Sequence, residues 1–237
     1  GEKAGYVTLA GKMLGTATKN RSKDELNEAI DFIGADFSAF STGFYASSLK
    51  QHHQKLVQLS ADVIKNPEFK EEEFQKQKKQ MLSSIQSNEN RPGAIASRVF
   101  DRLIYGKAHP YGDVRSMETV KNVSLEDIEE YYSNYFDPSI AYLAIVGNVD
   151  KKEIKPIIEE HFGTWESDGA SEGEDFDEPQ QIDDRKVAIV NRNDAAQSTL
   201  RIGHPINLRR KDDNYFAARL ANTILGSQNF RLFMNLR

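Results

Sequence analysis

Apolar residues recur along this chain in two rhythms, one of three to four residues and one of two, and the breaks between them carry Gly, Pro and Asn. The first segment, "GYVTLAGKMLGTATKNRS" over 5–22, is an apolar helix that stops at Gly15 and gives way to a basic loop. Ser22-Lys-Asp-Glu25 is a capping box that opens a second helix as far as Ile33, with Gly34 as its stop. "ADFSAFSTGFYASSLK" alternates around a Gly-containing turn and predicts a β-hairpin. Two helices follow: "HQKLVQLSADVIK", ended by Asn66-Pro67, and "EEEFQKQKKQMLSSIQSNE", ended before Pro92. A further helix covers 93–104, and Ser124 to Asp127 is a capping box whose helix ends at Asp137-Pro138. "IAYLAIVG" over 140–147 is a continuous apolar run that predicts a central strand, and Asp150 to Glu153 cap the helix after it.

The pattern breaks at residues 166–184, "ESDGASEGEDFDEPQQIDD", which hold nine acidic residues and no basic one. Such a stretch cannot bury apolar surface and reads as a solvated linker between a unit over 1–165 and a second over 185–237. A binding tail for a basic partner is the rival reading. Beyond it, "RKVAIVNR" and "AQSTLRIGHPI" predict strands, "DDNYFAARLANTILG" predicts a helix ending at Gly226, and "QNFRLFMNLR" starts another. Two strands and a helix and a half cannot close a core, so the polypeptide is expected to continue beyond Arg237, and Gly1 is expected to be a fragment boundary.

Composition narrows the chemistry. The 237 residues are 38% hydrophobic with a net charge of −5, which gives no excess of Lys and Arg for nucleic acid. No apolar run approaches the roughly 20 residues of a membrane span. The absence of cysteine removes disulfides and thiolate chemistry. None of the histidines, His52, His53, His109, His161 and His204, has a His or Glu partner at helical ligand spacing in a plausible site. His52-His53 reads as a solvated helix start and His109 as a turn residue. Thr8, Gly11 and Lys12 share one face of the first helix, where a packing glycine and a snorkelling lysine are the ordinary explanation.

Taken in order, "GYVTLAGKMLGTATKNRS", "IGADFSAFSTGFYAS", "FQKQKKQMLSSIQSNENRP", "AHPYG", "AYLAIVGNVD", "AQSTLRIGHPI" and "NTILGSQNFRLFMNLR" resemble the pitrilysin/insulinase family of zinc peptidases, including the processing peptidases and their non-catalytic relatives. The resemblance covers nearly the whole chain. It implies an α+β fold of the LuxS/processing-peptidase type: a mainly antiparallel sheet covered by helices, then the start of a second domain of the same type. In active members an H-x-x-E-H helix supplies two zinc ligands and the base, and a later helix supplies a third ligand. Aligned here, the histidines fall on Thr8 and Lys12, the base on Gly11, the third ligand on Ser84 and a supporting glutamate on Gln77. The resemblance therefore implies a vacated zinc site, an inactive chain with no bound cofactor, and zinc only in a partner half. On this reading the joint changes Thr8→His, Gly11→Glu, Lys12→His and Ser84→Glu are expected to restore zinc affinity.

The same resemblance places Ser38, Ala39, Phe40 and Ser41 on an edge strand that takes an extended substrate peptide. A core hairpin built on Phe37, Phe40, Phe44 and Tyr45 is the alternative. Arg237 closes an "LF…LR" pattern whose arginine, in paired members, orients substrate at the other half's zinc; a helix-surface arginine is the alternative. Three functions compete: a non-catalytic half that holds peptide beside an active half in a homo- or heterodimer, a structural or assembly protein, and an active zinc peptidase whose metal site lies outside this sequence. The expected partners are a peptide or unfolded polypeptide and an active peptidase half, in the periplasm or another extracytoplasmic space of a bacterium.

Overall fold

Serine side chains start three of the helices. Ser22, Ser116 and Ser124 each accept from the backbone N–H three residues on, and Glu25, Thr119 and Asp127 return a bond to the cap residue. Each such cap is worth about 1 kcal/mol. The structure, a computed structural model, describes residues 1–171, 184–193, 197–227 and 234. Its helices are α1 (Tyr6–Met13), α2 (Lys23–Phe32), α3 (His53–Lys65), α4 (Glu71–Glu89), α5 (Pro92–Tyr105), α6 (Met117–Lys121), α7 (Leu125–Tyr135), α8 (Lys151–Phe162) and α9 (Tyr215–Gly226), with a hairpin of β1 (Asp36–Phe40) and β2 (Gly43–Ser47). The expected helices that fall on described residues are present, with α9 starting at Tyr215 where the sequence pattern starts at Asp212, and the five-residue α6 is an addition. The helix expected from "QNFRLFMNLR" lies outside the described residues apart from 234. His53 starts α3, and His109 accepts from Tyr111 N in a short 3-10 turn over Pro110–Gly112.

Helix α1 lies between two apolar clusters. Leu9 and Met13 pack with Phe74 and Met81 of α4, Val120, Val123, and Ile128 and Tyr131 of α7. Leu14, just past the helix end, joins Leu26, Ile33, Leu59, Val63 and Ile64, and the inner face of the hairpin adds Phe37, Ala39 and Phe44. Burial of each such side chain contributes about 1.5–3 kcal/mol. The basic loop after α1 is pinned to α3. Asp62 accepts from Thr18 Oγ1 at 2.9 Å, Asn20 Nδ2 at 2.5 Å and Asn66 Nδ2 at 3.2 Å, and pairs with Arg21. Burial alone would raise this carboxyl, but the hydrogen bonds from Asn20, Thr18 and Asn66 and the Arg21 charge outweigh it and hold it below the usual carboxylate range.

The sheet differs from expectation. Among the described residues it has two strands, β1 and β2, paired antiparallel from Asp36↔Ser47 to Phe40↔Gly43. The α+β class holds in this reduced form: a mostly helical chain with one hairpin. The apolar runs at 140–147, 185–192 and 196–206, expected as strands, join no β-ladder among the described residues, and Tyr142 is 100% and Val146 97% exposed. Apolar sequence gives a segment its preference, but a strand exists only when a neighbouring edge takes its N–H and C=O groups, and no described strand runs beside these. Gly203 instead seats directly on the Phe100 ring of α5, where a Cβ would stand 2.4 Å from Cζ.

The start of the acidic stretch is docked. Asp137 accepts from Ser139 N at 2.8 Å, Ser167 Oγ at 2.7 Å, Asp168 N at 3.1 Å and Gly169 N at 3.2 Å, while Ser171 N donates to Asn134 O at 3.0 Å. Hydrogen bonds from Ser139 and Ser167 hold the Asp137 carboxyl down at about 2. The rest of the stretch, 172–183, lies outside the described residues, as does Arg237 with most of the final segment.

Candidate functional site

The face of α1 that carries Thr8, Gly11 and Lys12 meets the hairpin turn. Gly11 is buried, and a Cβ there would stand 2.4 Å from Ser41 N, 2.9 Å from Phe40 C and 3.0 Å from Ser41 Cα. Backbone therefore lies directly on backbone, a contact that any side chain would prevent. Tyr131 of α7 holds the turn in place by donating from its hydroxyl to Ser41 O at 3.0 Å. Gly15, at φ +83°, lies against Ala39 and Phe37, so β1 follows a glycine track from Ser41 back along the end of α1.

The other aligned positions are close along their helices but chemically blank for a metal. Thr8 is half-buried and accepts from Arg115 Nη1 at 3.2 Å. Lys12 is exposed and makes no hydrogen bond or ion pair among the described residues. On α4, which packs against α1, Ser84 is exposed and takes only a 3.5 Å contact from Asn88 Nδ2. Gln77 donates to Glu73 Oε1 at 2.8 Å, and Glu73 also pairs with Lys23 at 2.8 Å. Threonine, glycine, lysine, serine and glutamine offer no imidazole, carboxylate or thiolate, and no group of three or more His, Cys, Asp or Glu among the described residues can hold a metal. These residues do not fit zinc. The four-residue restoration expected from sequence also fails on geometry, because a glutamate at 11 would overlap the Ser41 backbone unless the turn moved.

The hairpin bearing Ser38, Ala39, Phe40 and Ser41 presents two faces and an edge. Phe37 and Ala39 point inward, with Phe37 stacked on Phe44 at 5.7 Å, while Asp36, Ser38 and Phe40 are exposed. A two-residue loop closes on a hydrogen-bonded pair, here Phe40 and Gly43, so by alternation Phe37 and Ala39 turn their N–H and C=O groups away from β2. Among the described residues no strand takes that outer edge. Phe37, Ala39 and Phe44 join the core, whereas Phe40 and Tyr45, expected there with them, are exposed because alternation turns them to the other face. The outer edge of β1 has no strand partner among the described residues.

Two participants escaped sequence reasoning. Arg115 reaches Thr8 across 107 positions and Tyr131 reaches Ser41 across 90. An arginine before a Ser cap and a tyrosine on a core-facing helix stripe give no sign of either contact.

Two sequence profiles match the chain in succession, one described as insulinase (peptidase family M16) over residues 2–108 and one as peptidase M16 inactive domain over residues 122–237. The chain belongs to the insulinase family. Among insulinase-type relatives, the uncharacterized zinc protease YmxG of Bacillus subtilis is 26% identical over 228 residues, covering 94% of this chain and 54% of its own length. Cytochrome b-c1 complex subunit 1 of Bos taurus is 25% identical over 163 residues, covering 64% of this chain and 33% of its own length. The crystal structure of a peptidase M16 inactive domain from Pseudomonas fluorescens superposes with a TM-score of 0.75 at 20% identity, covering 100% of this chain and 58% of that one. The chain thus spans about half the length of the zinc-protease relative. No helix among the described residues is long and apolar enough to cross a membrane.

Proposed function

We propose that this chain is the non-catalytic half of a two-part insulinase-type peptidase, which walls a chamber and holds extended peptide along the open edge of β1 while an active half supplies zinc. The Gly11–Ser41 contact carries this reading, since the position of the family's base is filled by the hairpin backbone. The donor set at Thr8, Lys12, Ser84 and Gln77 supports it, and so does a solved structure described as the first half of the periplasmic protease PqqL from Escherichia coli, which superposes with a TM-score of 0.62. The finer parts of the proposal are a LuxS-type sheet completed within the whole protein, units over 1–165 and 185–237 joined by 166–184, Arg237 serving the partner's substrate, and an extracytoplasmic bacterial compartment. The test is capture without turnover. The purified full chain should bind a labelled extended peptide by anisotropy and leave it uncut over hours; cleavage that co-purifies with this chain alone and is abolished by a chelator contradicts the proposal. A structural role in a larger assembly is the second reading, favoured by the similarity to cytochrome b-c1 complex subunit 1.

A further inference from the structure

Beside the glycine track stand two cations without an ion-pair partner among the described residues, Lys12 on α1 and Arg115 from the loop before α6. Thr8 and Lys12 stand one turn apart, with their Cβ atoms about 5–6 Å from each other. Arg115 comes in from the loop before α6, its stem packed near Gly5 (Cδ 3.6 Å from the site of a Cβ there) and its Nη1 on Thr8 Oγ1 at 3.2 Å. Neither Lys12 nor Arg115 makes an ion pair among the described residues, and α1 has no acid in its first turn. Asp127 pairs with Lys3, Glu73 with Lys23 and Lys76, and Asp113 with the Gly1 amino group, while Glu118, exposed in the first turn of α6, makes no ion pair with Arg115. Arg115 reaches Thr8 and Lys12 follows Thr8 one turn on, so an anion beside Thr8 lies within reach of both side chains.

We propose that Lys12 and Arg115 form a clamp for a peptide carboxylate. The clamp rests on the reading of β1 as a peptide-holding edge. Gly11 and Gly15 seat Ser41, Ala39 and Phe37, and Thr8 and Lys12 occupy the adjoining stripe of the same helix, so a strand laid along β1 passes beside the two cations. The guanidinium, fixed by Thr8 through one N–H, keeps its other donors for a carboxylate, and the lysine adds a point charge. The carboxylate is either a chain terminus or an Asp or Glu side chain.

The test is fluorescence anisotropy on the full chain with labelled, strand-forming octapeptides at low salt. One pair differs in a free or amidated C-terminus, a second pair carries Glu or Gln at an internal position, and a third peptide has alternate backbone amides N-methylated so that it cannot add to a strand. The expected result is binding about tenfold tighter for the charged member of one pair, which identifies the carboxylate's source, with the gap closing at high salt. Lys12→Gln and Arg115→Gln, checked by thermal melts for folding, should each reduce that gap to less than about threefold and leave the uncharged peptide's affinity unchanged. Equal binding within both pairs, or discrimination that survives both substitutions, overturns the clamp and leaves the edge reading standing. No binding by any peptide, or undiminished binding by the N-methylated one, overturns the edge reading and the clamp with it.

Discussion

Gly11 of α1 and Ser41 of the hairpin turn touch backbone to backbone, with 2.4 Å between Ser41 N and the point where a Cβ on Gly11 would stand. The close approach sets the last turn of α1 directly against the turn that follows β1. It also removes the space in which any side chain at position 11 could act.

The Gly11→Ala variant reads that contact directly. Alanine in place of glycine inside a helix ordinarily stabilises by about 1 kcal/mol. Here the added methyl meets backbone that cannot rotate aside, and the expected outcome is a loss of about 1–3 kcal/mol, seen as a lower urea midpoint. A neutral or stabilising result would show that the turn sits farther from α1.

Tyr131→Phe tests the restraint on the turn from α7. Loss of the hydrogen bond to Ser41 O should cost about 1 kcal/mol and speed amide hydrogen exchange around 41–43, with α3 and α4 unaffected. Unchanged exchange at the turn would assign its position to the glycine contact alone.

Asp137 and Asp62 are among the carboxyls that make stability fall in acid. Both carboxyls titrate lower when folded than the unfolded value of about 3.9, so the stability they contribute is present above that value and is lost as pH falls, for Asp137 toward about 2. Asp137→Asn should flatten this part of the acid denaturation profile and release the amides of Asp168 and Gly169 to exchange at neutral pH. An acid profile identical to that of the parent chain would place the sensitivity elsewhere.

Helix starts were legible because they are local: Ser22 and Glu25, or Ser124 and Asp127, sit three residues apart and bond to each other's backbone. A glycine in an apolar helix beside a lysine was legible as an anomaly, yet nothing in the sequence says that Ser41 rests on it. Arg115 was silent for the same reason, since its partner Thr8 lies on another element. The run at 140–147 was misleading in another way. Its residues prefer a strand, but the preference becomes structure only beside a free edge.

Arg237 lies outside the described residues, and its role is testable in the assembled protein. If it orients substrate in a partner's site, Arg237→Ala in the full-length protein should lower the partner's kcat/KM by about ten- to a hundredfold at unchanged zinc content. Unaltered hydrolysis would favour the structural role.

The most direct measurement is the metal content of the purified full chain, determined by elemental analysis after dialysis against a buffer containing micromolar zinc. A chain whose Gly11 is covered by Ser41 and whose aligned positions carry Thr8, Lys12 and Ser84 should retain far less than one zinc per molecule. About one tightly held zinc per chain would contradict the account.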